Sequence, residues 1–168
     1  MNAPLHREMP GAPAWDAAAA LDQIGRQWDG DIVRRLSDYI AIPAKSLAFD
    51  PDWAAHGFID RVVRDAAQWV ESQKVPGLKL EVVRIDGRTP VIFFEIEGTK
   101  AGAAQTVLMY GHLDKQPEFT GWRSDLGPWT PKYEDGKLYG RGGADDGYAV
   151  YASIAAVQEL KRQNVPHP

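Results

Sequence analysis

At Pro76-Gly77 the hydrophobic period of this 168-residue chain changes from that of a helix to that of a strand. A chain with helical patterning before and after such a change must stack helices on a sheet, so its class is α/β. Upstream, Leu21, Ile24, Trp28, Ile32, Leu36 and Ile40 recur at helical spacing. They predict one or two helices from Trp15 to about Tyr39, broken near Gly30 with Asp31 as an N-cap, and closed before Pro43. A second amphipathic helix is predicted from about Asp52 to Lys74, burying Phe58, Val62, Ala66, Trp69 and Val70.

Downstream, Leu78, Leu80 and Val82 alternate with Lys79 and Glu81, Asp86-Gly87 signals a turn, and Val91 to Ile96 reads as a second strand. The pair predicts a hairpin. Thr106 to Tyr110 (TVLMY) is an unbroken apolar run, the pattern of a strand buried on both faces. Lys115 to Lys137 reads as an irregular excursion and Leu138-Tyr139 as a short strand. A last helix spans about Asp146 to Arg162 with Val150, Ile154 and Val157 on one face. The expected fold is a three-layer α/β sandwich whose mixed sheet, from strands near 78–85, 91–97 and 106–111, is flanked by helices. Residues 1–13, with three prolines and little apolar content, are expected to be a flexible tail.

Charge narrows the partners. Lys and Arg number 19 against 23 Asp and Glu, a net charge of −4 without a basic cluster, which excludes a phosphate backbone as the natural partner. Cysteine is absent, so disulfides, thiolate metal sites and cysteine nucleophiles are excluded. No segment has the apolar length of a signal core or a membrane span, and the expectation is a cytoplasmic chain without a membrane partner.

Chemistry concentrates between residues 106 and 151. His112 and Asp114 are two apart in an extended segment, so both side chains leave the same face, just past the end of a predicted strand. By itself an H-x-D pair is more often a surface loop than a site. Asp145 and Asp146 follow Arg-Gly-Gly-Ala at a helix start. One could be a cap, but two adjacent carboxylates call for a cation or several N–H donors; taken alone, the pair fits a cap as well as a ligand. An imidazole with several carboxylates suits a borderline divalent metal. The other histidines carry less weight, and His6 and His167 are expected to be solvated.

The order GHLD, DGKLYGRG, ADDG and then an amphipathic helix resembles a family of zinc metallopeptidases. It includes aminoacylases, carnosinase-type dipeptidases, glutamate carboxypeptidases and succinyl-diaminopimelate desuccinylase. The Gln-Pro after the H-x-D and the W-x-S-D and P-W-T-P stretches look closest to the dipeptidase branch. The resemblance implies two zinc ions per complete site, with Mn2+ or Co2+ as alternatives. His112 would bind one ion and Asp145 would bridge both. Asp114 would stand behind His112 as a catalytic carboxylate fixing its tautomer, and Asp146 would support the site. Many relatives carry Lys directly after the second Asp, where this chain has Gly147.

The resemblance also implies a Glu-Glu pair, a further acidic ligand, a late histidine and a lid domain, none of which lies within these 168 residues. Residues 14–168 are therefore expected to be the N-terminal part of such a catalytic domain. The function expected of the complete enzyme, a homodimer, is di-zinc hydrolysis of amide bonds in dipeptides or N-acylated amino acids. The alternative for the isolated chain is a non-catalytic fragment. A cofactor-independent α/β binding module would require both motifs to be coincidental.

Overall fold

The computed structural model describes residues 15–99 and 105–168. The tail expected over 1–13 and most of the loop expected from Gly98 to Ala104 lie outside these residues.

Three helical segments run on without a break at the start. Helix α1 (Ala17–Gln27) is capped by the Asp16 carboxylate, which accepts from the Ala19 N–H. A π-helical segment (Trp28–Ile32) leads directly into α2 (Val33–Ile40). Gly30 therefore widens a turn rather than ending a helix. Asp31 is not a cap. Its carboxylate accepts from the Trp69 indole at 2.7 Å and from Arg34 and Arg35. The second predicted helix is divided into α3 (Trp53–His56) and α4 (Phe58–Ser72) at Gly57, whose φ of +70° suits glycine. In α4, Val62, Ala66, Trp69 and Val70 are buried as expected, joined by Ile59, Val63 and Ala67.

Strands β1 (Leu78–Val83) and β2 (Val91–Ile96) form the predicted antiparallel hairpin. Its register sets Leu78 opposite Ile96, Leu80 opposite Phe94 and Val82 opposite Ile92, and all six pack against the helical core. On the other face Lys79 pairs with Glu95 at 3.3 Å. The excursion contains a second small hairpin, β3 (Lys132–Glu134) with β4 (Lys137–Tyr139). Helix α5 (Ala149–Arg162) follows a π-helical turn at Gly143–Gly147. Its Tyr151 and Ile154 pack on α2 and α4, with the Tyr151 ring edge-on to Trp69 at 4.6 Å between centroids.

The α/β class stands, and one strand assignment is corrected. The described residues hold two two-stranded antiparallel sheets, and 106–111 is in neither. Leu108 is 91% and Tyr110 82% exposed, so the apolar run finds no burial here. Among the described residues, the β-type pairing nearest to it is one parallel bridge between Lys115 and Lys45. Among the described residues no helix is long and apolar enough to cross a membrane.

Candidate active site

Two segments meet above the C-terminal end of α2. One is the extended stretch from Gly111 to Lys115, and the other is the turn Gly143–Gly147 that opens α5. Glycine is required at the contact. A Cβ on Gly111 would lie 2.6 Å from the Ala149 Cβ and 3.1 Å from Asp146 Oδ2. A Cβ on Gly140 or Gly143 would strike Ile40, on Gly142 the stem of Lys115, and on Gly147 the ring of Tyr39. The glycine-rich stretch is thus pressed backbone-first onto α2 and the H-x-D segment.

This packing brings His112, Asp114 and Asp145 together. His112 Nδ1 donates to the Asp114 carbonyl oxygen at 2.9 Å, with Asp114 Oδ1 at 3.3 Å. With Nδ1 donating, Nε2 faces Asp145 Oδ1, 3.3 Å away, as a donor when the ring is protonated and as a lone pair when it is neutral. Neither Asp145 nor Asp146 caps a helix: both sit on non-helical backbone, and α5 starts without a side-chain cap. The cap reading of the Asp pair is thereby removed. The Asp145 side chain is 60% exposed, so the pair faces solvent. Burial pulls the His112 imidazole down. Donation to the Asp114 carbonyl and the charges of Asp114, Asp145 and Asp146 outweigh that, and it titrates above its ordinary 6.5.

The donor pair suits a metal in part. Two bonds of about 2.0–2.2 Å at a tetrahedral angle put ligand atoms roughly 3.3–3.6 Å apart. The His112–Asp145 separation falls in that range without any side-chain movement. Among the described residues, however, no group of three or more His, Asp or Glu is assembled to hold an ion. The chain supplies part of a coordination sphere.

Lys115 is the neighbour that the sequence did not single out. It is only 1% exposed, and its Nζ donates to the carbonyls of Tyr39, Ile40 and Ile42 at 2.6, 3.3 and 2.7 Å. Burial pushes its ammonium down to about 7. Tyr39 donates its hydroxyl to the Leu113 carbonyl at 3.0 Å. Burial, and then the nearby negative charges, raise that hydroxyl well above the ordinary tyrosine range, so it stays a donor. Lysine and tyrosine are common surface residues, and no spacing in the sequence marks either one. His56 lies away from the site with Nδ1 2.9 Å from Asp50. His167 is buried rather than solvated, its Nδ1 donating to the Pro168 carbonyl.

Known proteins are similar to this chain in sequence and fold. Residues 108–168 match Peptidase family M20/M25/M40. The chain is 32% identical over 178 aligned positions to the human Beta-Ala-His dipeptidase, covering 96% of this chain and 33% of that protein. It is 36% identical over 74 positions to a succinyl-diaminopimelate desuccinylase of Cupriavidus taiwanensis, covering 42% of this chain and 18% of that protein. Its fold matches the crystal structure of human carnosine dipeptidase 1 with a TM-score of 0.66 and 27% identity, over 88% of this chain and 31% of that one. The metallopeptidase resemblance carried by GHLD, DGKLYGRG and ADDG is borne out, and the relatives are hydrolases by name. The chain spans a third or less of the length of these relatives.

Proposed function

We propose that this chain carries part of the active site of a metal-dependent amide hydrolase acting on dipeptides or N-acylated amino acids. The observation that carries the reading is the approach of His112 Nε2 to Asp145 Oδ1 at 3.3 Å, with the opposite ring nitrogen held by Asp114. In it His112 would hold one metal ion and Asp145 would be shared between two. Asp114 fixes the imidazole tautomer, and Asp146 adds negative charge beside the pair. The chemistry that two zinc ions, or Mn2+ or Co2+, supply at such a site is polarisation of the scissile carbonyl and a lowered pKa for water. The chain's own residues bind and orient. The family resemblance further supports a homodimeric whole enzyme.

A second reading applies to the 168 residues by themselves: weak metal binding and no turnover. It is favoured by the absence of a third ligand among the described residues, since catalytic zinc sites usually hold three protein ligands plus water. Zinc titration into the chain tests the assignment. Weak binding should be removed by His112→Ala and by Asp145→Ala. Unchanged zinc affinity in either variant would refute it.

A further inference from the structure

Three segments converge on Lys115. Its backbone N–H donates to the Ala44 carbonyl and its carbonyl accepts from the Ser46 N–H, both at 2.9 Å, which ties the residue after Asp114 to the chain leaving α2. Its ammonium closes the C-terminal end of α2 by donating to the three carbonyls of Tyr39, Ile40 and Ile42. The Tyr39 and Ile42 oxygens also accept from the Ile42 and Ala44 backbone N–H groups, so the ammonium fills the second acceptor position of each as it joins them to the Ile40 oxygen. Its stem fills the space where a side chain on Gly142 would stand, with Cγ, Cδ and Cε 2.7–2.9 Å from that Cβ position. The ammonium also lies 3.9 Å from the centre of the Tyr39 ring. That ring packs on Gly147 and its hydroxyl holds the Leu113 carbonyl.

From this convergence we propose that Lys115 is a positioning residue for the candidate site. By locking the end of α2, the H-x-D segment and the glycine-rich turn in one register, it sets the approach of Asp145 to His112. Three donors on a compact ammonium meet three carbonyls fanned over the helix end, and methionine offers the same stem with no donor. Losing the ammonium removes the one group that ties the three carbonyls together, and the end of α2 relaxes around the weaker backbone bonds that remain to Tyr39 and Ile42. That movement carries Tyr39, Leu113 and Gly142 with it. Glycine at position 147 has a matching cause: the Tyr39 ring occupies the space a lysine stem would need there.

The proposal rests on the proposed function only for the identity of the site, because its test needs no metal. The imidazole resonances of His112 are followed by NMR in the metal-free 168-residue chain. Lys115→Met should move them to new positions, and Lys115→Arg, which restores a cation, should return them toward the wild-type values. Val70→Ala, a core change outside the site, should destabilise the chain and leave them in place. A folded Lys115→Met with unmoved His112 resonances overturns the proposal, as does an Arg variant no closer to wild type than the Met one. If neither variant folds, the wild-type Lys115 ammonium decides. Recorded below about pH 6, where the ammonium is protonated, its 15N signal should persist where those of exposed lysines are lost to exchange, and rapid exchange would overturn the proposal. Zinc affinity of His112→Ala reports separately on the metal assignment.

Discussion

The indole N–H of Trp69 donates to Asp31 Oδ2 at 2.7 Å, joining the π-helical segment after α1 to the last turn of α4. Trp69 is 2% exposed, so no water can replace this acceptor without repacking. Asp31→Ala should therefore cost about 1–3 kcal/mol, the usual penalty for a buried donor left unpaired. Asp31→Asn keeps an oxygen for the indole and should cost less. Chemical denaturation at neutral pH would measure both, and equal losses would contradict this account.

The same carboxylate predicts a pH dependence. Burial works to raise the Asp31 carboxyl, but its bonds from Trp69 and Arg35 and the charges of Arg35 and Arg34 prevail and hold it below the ordinary 3.8. A depressed folded-state value means that the unfolded chain takes up this proton first as the pH falls. The contribution is thus present above about 4 and is lost as the pH drops through the folded-state value. Unfolding free energy measured from pH 6 to pH 2 should fall less steeply in Asp31→Asn than in the wild-type chain.

Gly147 against Tyr39 gives a steric prediction. A methyl group there would overlap the ring of a residue that is itself 5% exposed and hydrogen-bonded to Leu113. Gly147→Ala should destabilise by about 1–3 kcal/mol, as overpacked interiors do. In a chain of this size that lowers the melting temperature by roughly 2–4 °C per kcal/mol. Thermal unfolding followed by circular dichroism would check it, and an unchanged midpoint would show that the ring yields freely.

Local chemistry was legible in the sequence where it sufficed to define structure, and illegible where tertiary contacts decided. The hairpin of β1 and β2 could be read because alternation and a Gly turn (Gly87, φ +71°) are both local. β3 could not: Lys132, Tyr133 and Glu134 show no apolar alternation. The hairpin is bordered by exposed pairs of Lys132 with Asp125 and Glu134, and of Arg123 with the same two acids. Thr106–Tyr110 has the composition of a buried strand, but burial requires neighbours that the described residues do not supply. His112, Asp114 and Asp145 stood out because motif spacing is a property of the chain. Lys115 did not, since a buried lysine depends on carbonyls some 75 residues away in sequence.

Donation from the His112 ring to a backbone carbonyl refines the expected effect of Asp114. The Asp114 carbonyl, at 2.9 Å, lies nearer to Nδ1 than its carboxylate does at 3.3 Å. The tautomer should therefore survive Asp114→Ala. Loss of a supporting carboxylate behind a metal-binding histidine typically costs 10–100-fold in affinity, and the lower end is expected here. Asp145→Ala removes a direct ligand and should cost more. Zinc titrations of the two variants would rank them, and a larger loss for Asp114→Ala would reverse the assigned roles.

Exposed apolar surface sets the behaviour of the chain in solution. Val107, Leu108, Met109 and Tyr110 are 50–91% exposed along one segment, and Val91 and Phe93 of β2 are more than half exposed. Apolar runs of this kind exposed to water mark contact surfaces or association liabilities. The purified chain should therefore self-associate as its concentration rises. Leu108→Lys places a charge at the most exposed position without touching the core, and should shift the equilibrium toward monomer with little change in unfolding free energy. Sedimentation velocity over a concentration series would show this. A wild-type chain that stays monomeric throughout the series would mean that the segment is covered in solution.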